Sequence, residues 1–448
     1  MLYRKFTAEL EDFLLHEPNK ILLVNGARQI GKSYLIRYVG KKLFRHYVEI
    51  NLKADQESNH IFADVRSKED FYLQLGAIAG NDLGGKDDTL VFLDEIQSYP
   101  HLMTMLKFLN EDKKYRYIAS GSQLGVALSQ TPSVPIGSIA IKQMYPLDFE
   151  EFLWAMGEDM LMDFVRKQFA SLQPMGALHR KVLDYFRQYM IVGGMPQAVL
   201  AYSEKKDFEE VDVIKRDILQ LYRNDISKYA FEATTKVTRI FDDIPSQLQK
   251  HEKKFRMSSI SVSARMRDYE DSFFWLDDAR IINICYNATE PSVGLKLNMD
   301  RTTLKCYLGD TGLLISQAFD ENGLMEEQLY RKLMLGKLEV NQGMLVENVV
   351  AQMLKASGHK LFFFSKSDRE DAANNMEVDF LIRKKTITSR HNICPVEVKS
   401  SSRYTYTSLN KFRAKYAEQL ATPYVMHTGD VEIQDGVVFL PLYMTPLL

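Results

Sequence analysis

A short apolar run, a glycine-rich loop and a helical segment follow one another between residues 21 and 43. The run ILLV at residues 21–24 is typical of a buried parallel strand. The loop GARQIGKS at residues 26–33 fits the pattern G-x-x-x-x-G-K-[ST] at every fixed position. Glycines let a backbone wrap closely around phosphates, and N–H groups at a helix N-terminus face the anion. A chance match is the alternative, but the strand before the loop and the helix after it favour a P-loop.

The P-loop pattern predicts that the chain binds a nucleoside triphosphate, with Mg·ATP as the expected ligand. Lys32 is expected to contact the β- and γ-phosphates and to assist hydrolysis, and Ser33 is expected to ligate Mg²⁺. The full set of predicted nucleotide contacts in this segment is Gly26, Ala27, Arg28, Gln29, Ile30, Gly31, Lys32, Ser33 and Tyr34. ATP and Mg²⁺ are therefore the predicted cofactors.

An acidic pair follows the next apolar run, TLVFL at residues 89–93. The carboxyl end of a strand is where an α/β sheet places its ligand chemistry. Asp94 is expected to hold Mg²⁺ through water, and Glu95 to orient and activate the attacking water. A solvated acidic turn is the alternative. A third strand, YRYIA at residues 115–119, leads into hydroxyl side chains, of which Ser122 is predicted to contact the γ-phosphate; a plain exit from the strand explains it equally well.

Length, charge and cysteine usage limit the classes of protein that this chain can belong to. A chain of 448 residues exceeds the usual domain size of about 100–200 residues, so two to four domains are expected. The net charge of −2 means that any polyanion site must be a local basic patch. The scattered cysteines, Cys285, Cys306 and Cys394, indicate a reducing compartment. The apolar runs are far shorter than the roughly 20 residues that span a bilayer, so we expect a cytoplasmic protein without a membrane partner.

The middle of the chain shows two helical patterns. Residues 151–230 are mostly helical, with a break at Gly-Gly-Met-Pro, residues 193–196, and we interpret them as a lid over the nucleotide domain. Residues 231–320 show a helix from 234 to 250, an amphipathic helix within 261–282, and a β-ribbon on either side of a loop at 287–298. This order suggests a winged helix, which can place a helix in a DNA major groove. A dimerisation or spacer module is the alternative. DNA contact is supported by a local basic cluster, which comprises Lys253, Lys254, Arg256, Arg265 and Arg267.

The α/β pattern returns after residue 340 and contains a second group of carboxylates. Glu397 and Lys399 project from one face of a strand, toward wherever Asp379 lies on its neighbour, and Glu347 precedes them on a helix. Asp379 and Glu397 are predicted to hold Mg²⁺, with Glu347 and Lys399 completing a phosphodiesterase site. The pattern resembles the restriction-endonuclease-like PD-(D/E)XK fold. An ordinary salt bridge between Glu397 and Lys399 is the alternative, and such a domain can also keep these residues for binding alone.

These motifs, in this order, resemble a prokaryotic group of AAA-type ATPases that carry a C-terminal domain of unknown function. The resemblance covers nearly the whole chain and rests on GARQIGKS, LVFLDEIQ, IASGS, MYPLDFEEFL, YMIVGGMPQAV, RNDISKYA, LGDTGLL, GMLVENVVAQML and VDFL…PVEVKSS. It implies ATP hydrolysis. Many members have Gly-Arg before the Pro-Leu-x-Phe segment, whereas this chain has Gly137-Ser138, so an arginine finger is not expected from that position.

The sequence therefore predicts an α/β protein of four parts. A parallel sheet of the P-loop (AAA-like) NTPase type occupies 1–150, a helical lid 151–230, a winged-helix-like unit 231–320, and a PD-(D/E)XK nuclease-like α/β domain 321–448. The predicted function is Mg²⁺-dependent ATP hydrolysis coupled to DNA or RNA binding or processing. The alternative is an ATP-dependent switch that docks a protein partner and has a catalytically inactive nuclease-like domain. The sequence leaves the oligomeric state open.

Overall fold

The computed structural model describes residues 2–80, 83–122, 124, 137–230, 233–250, 252–319, 327–334, 342–367, 374–384, 386–401 and 403–448. The chain divides into two compact units. The first comprises Met1–Pro146 with Asp278–Arg280, and the second comprises Leu147–Asp277 with Ile281–Leu448. In the described part of the chain, no helix has both the length and the apolar character needed to cross a membrane.

The first unit is built on a parallel sheet of five strands, which confirms the α/β prediction for this part of the chain. The strand order is β2-β3-β4-β1-β5, so the strand before the glycine-rich loop lies inside the sheet. Every residue of β1 and β3 is buried, as expected for strands covered on both faces. The strands are β1 (Ile21–Asn25), β2 (His46–Asn51), β3 (Thr89–Asp94), β4 (Arg116–Gly121) and β5 (Ile139–Gln143).

Helices cover this sheet because each presents apolar residues at helical spacing to it. Leu35, Ile36 and Val39 of the helix after the glycine-rich loop are buried, and Leu102, Met103 and Leu106 are buried on a later one. The helices of the first unit are α1 (Lys5–His16), α2 (Lys32–Leu43), α3 (Leu52–Glu57), α4 (Lys68–Ala79) and α5 (Pro100–Asp112).

The second unit begins with consecutive helices, as the pattern over 151–230 predicted. The break at Gly193 is real: this residue has a φ of 80°, and Pro196 starts the next helix. The helices are α6 (Phe149–Ala155), α7 (Leu161–Ser171), α8 (Ala177–Val192), α9 (Pro196–Lys205), α10 (Phe208–Tyr229) and α11 (Thr234–Gln249).

Residues 252–308 differ from the expected winged helix in two ways. The predicted amphipathic helix begins only at Glu270 (α12, Glu270–Asp278), and in the segment before it Val262 is 98% exposed and packs against no apolar face. The predicted ribbon forms from β6 (Ile282–Ala288) and β7 (Met299–Leu308), but it is not a free wing. Strand β6 also pairs in parallel with a strand from the C-terminal part, β8 (Phe362–Lys366). Since β6 is almost entirely buried, an unpaired edge there would expose an apolar strand.

The C-terminal part is an α/β structure with two sheets, one of order β7-β6-β8-β9 and one of order β10-β11-β12-β14-β13. The further strands are β9 (Met376–Val378), β10 (Phe380–Arg383), β11 (Ile393–Val398), β12 (Tyr424–His427), β13 (Glu432–Gln434) and β14 (Val437–Pro441). The helices are α13 (Thr311–Ala318), α14 (Glu327–Met334), α15 (Gln342–Ala356) and α16 (Thr407–Lys415).

A buried polar joint connects three of the motifs in the second unit. Asp310, which caps α13, accepts a hydrogen bond from the Gly194 N–H at 2.6 Å and from the Leu313 N–H at 3.0 Å. Gln352 on α15 accepts hydrogen bonds from the N–H and the hydroxyl of Thr311 at 2.8 and 2.9 Å. Hydrogen bonds therefore join three segments at this point: the break at residues 193–196, the LGDTGLL segment at residues 308–314 and helix α15. These motifs accordingly have a structural role.

Candidate functional site

The glycine-rich loop lies between the carboxyl end of β1 and the start of α2. At two of its glycines, any other residue would cause a steric clash or backbone strain. A Cβ at Gly26 would lie 2.5 Å from the Met144 carbonyl oxygen, and Gly31 has a φ of 90°, in the left-handed region. No side chain caps α2, so the N–H groups of its first turn are not used by a side chain. Such a helix start suits an anion.

The Lys32 ammonium lies within this loop. Its Nζ atom donates hydrogen bonds to the carbonyl oxygens of Gly26 and Ala27, both at 2.8 Å, and the residue is only 6% exposed. A cation enclosed by the loop, together with the N-terminus of α2, gives the loop the positive potential that a phosphate requires.

Both carboxylate oxygens of Asp94 accept hydrogen bonds from hydroxyl groups. Ser33 donates to Oδ2 at 2.8 Å, and Ser120, at the end of β4, donates to Oδ1. Burial raises the pKa of Asp94, and the hydrogen bonds from Ser120 and Ser33 oppose that rise. Hydroxyl and carboxylate oxygens are the donors that Mg²⁺ prefers. The residues present therefore fit the predicted cation.

Glu95 has a strained backbone and a neighbour that fixes its side chain. Its φ of 55° and ψ of 48° lie in the left-handed region, where a residue other than glycine costs about 1–3 kcal/mol. The Gln97 amide donates a hydrogen bond to Glu95 Oε2, and the absence of a side chain at Gly121 makes room for that amide. Strain at a carboxylate next to a predicted Mg²⁺ ligand is typical of a functional site.

Two residues at this site were missed by the sequence analysis. Gln97 has a signal in the sequence, since it follows the acidic pair by two positions. Arg4 has none: its guanidinium donates to the carbonyl oxygen of Ile30 at 3.0 Å and to that of Tyr145 at 2.7 Å, although it precedes Ile30 by 26 positions. Arg4 is 5% exposed and so supports the glycine-rich loop from within the unit.

The other predicted contacts have different environments. The side chains of Ala27 and Ile30 are buried, at 3% and 0% exposure, so they offer a nucleotide only their backbone. Arg28 is half-buried, and Tyr34 on α2 is 52% exposed. Ser122 is 4% exposed, whereas the hydroxyl of that strand end that reaches the acidic pair belongs to Ser120.

The C-terminal carboxylates also come together, but around a lysine from β7. Lys305 Nζ lies 3.1 Å from Glu347 Oε1, 3.0 Å from Glu377 Oε1 and 3.5 Å from Asp379 Oδ1, and the Lys305 side chain is 1% exposed. Lys253 Nζ contacts the second oxygen of Glu347 and the carbonyl of Gly343. We call these residues, with Glu397 and Lys399, the Lys305 network.

The second half of the Lys305 network lies along β11. The Val398 N–H donates to Asp379 Oδ2 at 2.9 Å, and Lys399 Nζ pairs with Glu397 Oε1 at 2.7 Å. Burial, together with the Asp379 carboxylate, raises the pKa of Glu397 to about 8. Burial also favours the neutral form of Glu347, but Lys253 and Lys305 outweigh it and lower the pKa of that carboxyl to about 2.

The magnesium ion expected between Asp379 and Glu397 stays a prediction. Among the described residues, no three His, Cys, Asp or Glu side chains are arranged to hold a metal ion. The Lys305 ammonium lies among three of the carboxylates and offsets part of their charge. The sequence analysis counted Lys399 alone, because Lys305 is 74 positions from Asp379 and belongs to no motif.

The predicted basic cluster near residue 253 is largely neutralised. Lys253 belongs to the Lys305 network, Arg256 pairs with Glu252 at 2.8 Å, and Arg267 lies 3.6 Å from Asp268. DNA contact through a winged helix stays a prediction, and the pairing of β6 with β8 and the three ion pairs give it no support.

Comparison with known proteins assigns the first unit. Residues 18–153 match the family model of an AAA domain. This part of the chain is similar to AAA domains of the P-loop type. The match includes the glycine-rich loop and the acidic pair, so the P-loop prediction is confirmed. Residues 183–322 and 342–445 match two separate domains of unknown function (DUF8612 and DUF4143), which assign no chemistry to the Lys305 network.

Individual relatives are distant. An uncharacterized protein of Methanocaldococcus jannaschii is 25% identical over 210 residues, which are 47% of this chain and 41% of that protein, so this chain spans less than half of that relative. The Walker-type ATPase PABY2304 of Pyrococcus abyssi is 14% identical, covers 71% of this chain and 96% of its own, and has a TM-score of 0.42. PCH-2 of C. elegans is 13% identical, covers 45% of this chain and 62% of its own, and has a TM-score of 0.27.

Proposed function

We propose that the AAA-type domain binds Mg·ATP and hydrolyses it. The observation that carries this proposal is the direct hydrogen bond between Ser33 and Asp94, beside the enclosed Lys32 ammonium. This contact places two oxygen ligands of the kind that Mg²⁺ prefers, a seryl hydroxyl and a carboxylate, side by side next to the P-loop.

Each residue has a distinct part in the proposed reaction. Lys32 exchanges the carbonyl oxygens of Gly26 and Ala27 for phosphate oxygens, and Ser33 and Asp94 hold the cation. When bound, Mg²⁺ neutralises charge that develops on the phosphates. Glu95 accepts a proton from the attacking water on a carboxylate oxygen, and Gln97 keeps that carboxylate in position.

Equilibrium binding of ATP tests the nucleotide site. Lys32→Ala should abolish measurable binding in the presence of Mg²⁺, because it removes the cation enclosed by the loop. Lys41→Ala, an exposed lysine on the same helix, is the matched control and should bind as the wild-type protein does. Equal affinities for Lys32→Ala and the wild-type protein would refute the assignment.

For the C-terminal part, we propose that the Lys305 network is an internal set of ion pairs and not a metal-dependent nuclease site. Three ammonium groups, from Lys253, Lys305 and Lys399, lie against four carboxylates. Replacing one partner of buried pairs leaves charge uncompensated and is costly, so the network fixes the packing of α15 on β7 and β11. This proposal corresponds to an ATPase with a nuclease-like fold that does not cleave.

A cleavage assay separates the two readings of the network. Wild-type protein with Mg²⁺ or Mn²⁺ and ATP should leave supercoiled plasmid, single-stranded DNA and RNA intact. Nicking that disappears in Asp379→Ala while ATP hydrolysis persists would refute the proposal and restore a nuclease function.

The partner of the ATPase is a further part of the proposal. We infer a nucleic acid and not a protein, because a basic cavity of the second unit, described below, has a surface suited to phosphates. ATP turnover should then rise on addition of DNA or RNA, and an unchanged rate would favour the alternative of a protein partner.

A further inference from the structure

A cavity of about 510 Å³ in the C-terminal part is lined by basic side chains and by no acidic one. The basic residues are Lys296, His359, Lys360, Arg383 and Lys384. Acidic residues outnumber lysine and arginine in this chain, 59 to 57, so a cavity with five basic residues and no acid departs from the composition of the whole. We call this feature the basic cavity.

Three separate chain segments supply these cations, and each segment is held in place by backbone hydrogen bonds. Lys296 lies in a short 3-10 turn at Leu295–Asn298, between β6 and β7. Lys360 follows the end of α15, where the His359 N–H bonds to the Leu354 carbonyl at 3.0 Å and Gly358 has a φ of 90°. Arg383 ends β10, and the Lys384 N–H bonds to the Asn392 carbonyl at 2.8 Å. The fold therefore gathers these cations from positions 296, 360, 383 and 384, which are far apart in the sequence except for the last two.

The charges in the basic cavity are available to a ligand. Lys296, Lys360, Arg383 and Lys384 are exposed. None of these four lies within ion-pair distance of a carboxylate in the part of the chain that the structure describes, whereas all three lysines of the Lys305 network do. Cations that share one cavity repel one another, and an anion removes that repulsion.

The arrangement fits several phosphates better than one. The volume falls in the range of about 300–1,000 Å³ that is usual for ligands much larger than a single phosphate ion. The cations come from three segments around the opening and not from one helix start, so they suit charges that are spaced along a chain. Val293, Leu295 and Phe362 add an apolar wall.

We propose that the basic cavity binds the phosphodiester backbone of a nucleic-acid strand. This inference deepens the nucleic-acid partner proposed above and is independent of ATP hydrolysis. The cavity is also separate from the Lys305 network: Arg383 is four positions from Asp379, at the opposite end of β10, which is roughly 13 Å along a strand. The site therefore holds the strand without any cleaving group beside it.

Fluorescence anisotropy with labelled 20-nucleotide single-stranded DNA, single-stranded RNA and duplex DNA tests this proposal on the full chain without nucleotide. The cavity variant carries Lys296→Ala, Lys360→Ala, Arg383→Ala and Lys384→Ala. The control variant removes the same charge from exposed ion pairs elsewhere, with Lys68→Ala, Lys181→Ala, Lys205→Ala and Arg331→Ala.

The wild-type protein should bind at least one oligonucleotide, and the cavity variant should bind it at least tenfold more weakly at about 0.1 M salt, while the control variant changes little. The slope of log affinity against log salt for a single strand should fall in magnitude by about 3, since each phosphate contact contributes roughly 0.7.

Unchanged oligonucleotide binding by the cavity variant, or none by the wild-type protein, would overturn the inference. Competition by inorganic triphosphate at concentrations below those of the oligonucleotide would show a site for a free polyphosphate and would also overturn it. ATP binding by the cavity variant should be intact, which shows that its first unit is folded, and an unchanged urea transition shows the same for the second unit. Failure of oligonucleotide binding with intact ATP binding would contradict this inference and the nucleic-acid partner inferred from the same cavity, and would leave the ATPase proposal standing.

Discussion

Asp94 accepts two hydroxyl groups in a buried position, and that single residue links the loop after β1 to the ends of β3 and β4. Its two partners have different origins. Ser33 belongs to the glycine-rich motif, so its proximity to Asp94 could be predicted from the order of strands in a parallel sheet. The Ser120 contact could not, because the sequence shows three polar positions at that strand end and does not indicate which one turns inward.

Gln97 offers the most specific prediction at the residue scale. Gln97→Ala should lower kcat by roughly 10- to 100-fold and leave the affinity for ATP unchanged, because the amide positions Glu95 and does not touch the nucleotide. Steady-state kinetics beside equilibrium binding makes the test. A matched loss of binding and kcat would indicate that the variant disturbs the whole loop and that Gln97 has no separate positioning role.

Arg4 shows why part of the site lies beyond sequence patterns. Its guanidinium supports the Ile30 carbonyl from before the first helix, and no spacing rule connects the two positions. Lys305 shows the same for the C-terminal part, where a buried cation from β7 lies against Glu347 and Asp379 and no spacing in the sequence indicates it.

At the scale of elements, the joint around Asp310 makes the end of α8 sensitive to one methyl group. Gly193 has a φ of 80°, and a Cβ there would overlap the Asp310 carboxylate. Gly157 is a matched control, since its φ is 81° and a Cβ would meet no atom within 4 Å. Gly193→Ala should therefore lower the free energy of unfolding by at least about 2 kcal/mol more than Gly157→Ala does. Similar losses in urea titrations of the two variants would show that the joint tolerates the methyl group.

A buried lysine on α10 predicts a dependence of stability on pH. Lys215 is 0% exposed, and its Nζ donates to the Ile191 carbonyl at 3.0 Å and to the Tyr330 hydroxyl at 3.3 Å. Burial lowers the pKa of Lys215 from 10.5 to about 8, although Asp212 and Asp310 lie nearby. Between pH 8 and 10.5 the unfolded chain therefore binds more protons at this lysine than the folded chain, so its contribution to the free energy of unfolding rises with pH.

The comparison of wild-type protein with Lys215→Met isolates that contribution. The difference in the free energy of unfolding, wild type minus variant, should increase by on the order of 3 kcal/mol from pH 8 to pH 10.5. Urea midpoints across this range measure it, and the exposed Lys167→Met is the control for the substitution itself. A difference that is flat or falls with pH would contradict a lowered pKa for Lys215.

Helices and strands were predicted best where the spacing of apolar residues keeps one period over the whole element. Strands β1, β3 and β4 and the helices of residues 149–229 follow directly from apolar runs and helical spacing. The helix expected from residue 261 was wrong in its first part, because Val262 and its neighbours face solvent and nothing stabilises a helix there. The pairing of β6 with β8 was also missed, since it joins Tyr286 to Phe362 across 76 positions and depends on tertiary packing.

On the scale of the whole molecule, the chain combines an AAA-type domain with a larger second unit whose chemistry differs from that of the first. The first unit has a loop, a cation and an acidic pair arranged for a nucleotide. The second has a closed network of ion pairs and, on other elements, a cavity with uncompensated positive charge. We therefore propose that the first unit hydrolyses ATP and that the second unit binds nucleic acid.

The rate of Mg·ATP hydrolysis by the Glu95→Gln variant is the most direct test of the proposal that the first unit hydrolyses ATP with Glu95 as the base. Glutamine keeps the size and the hydrogen bonding of Glu95 but cannot accept a proton, so only the step that needs a base should be lost. The account predicts that this variant binds ATP as tightly as the wild-type protein and hydrolyses it roughly 10²- to 10⁴-fold more slowly. Wild-type turnover in Glu95→Gln, or the absence of Mg²⁺-dependent turnover in the wild-type protein with or without nucleic acid, would contradict it.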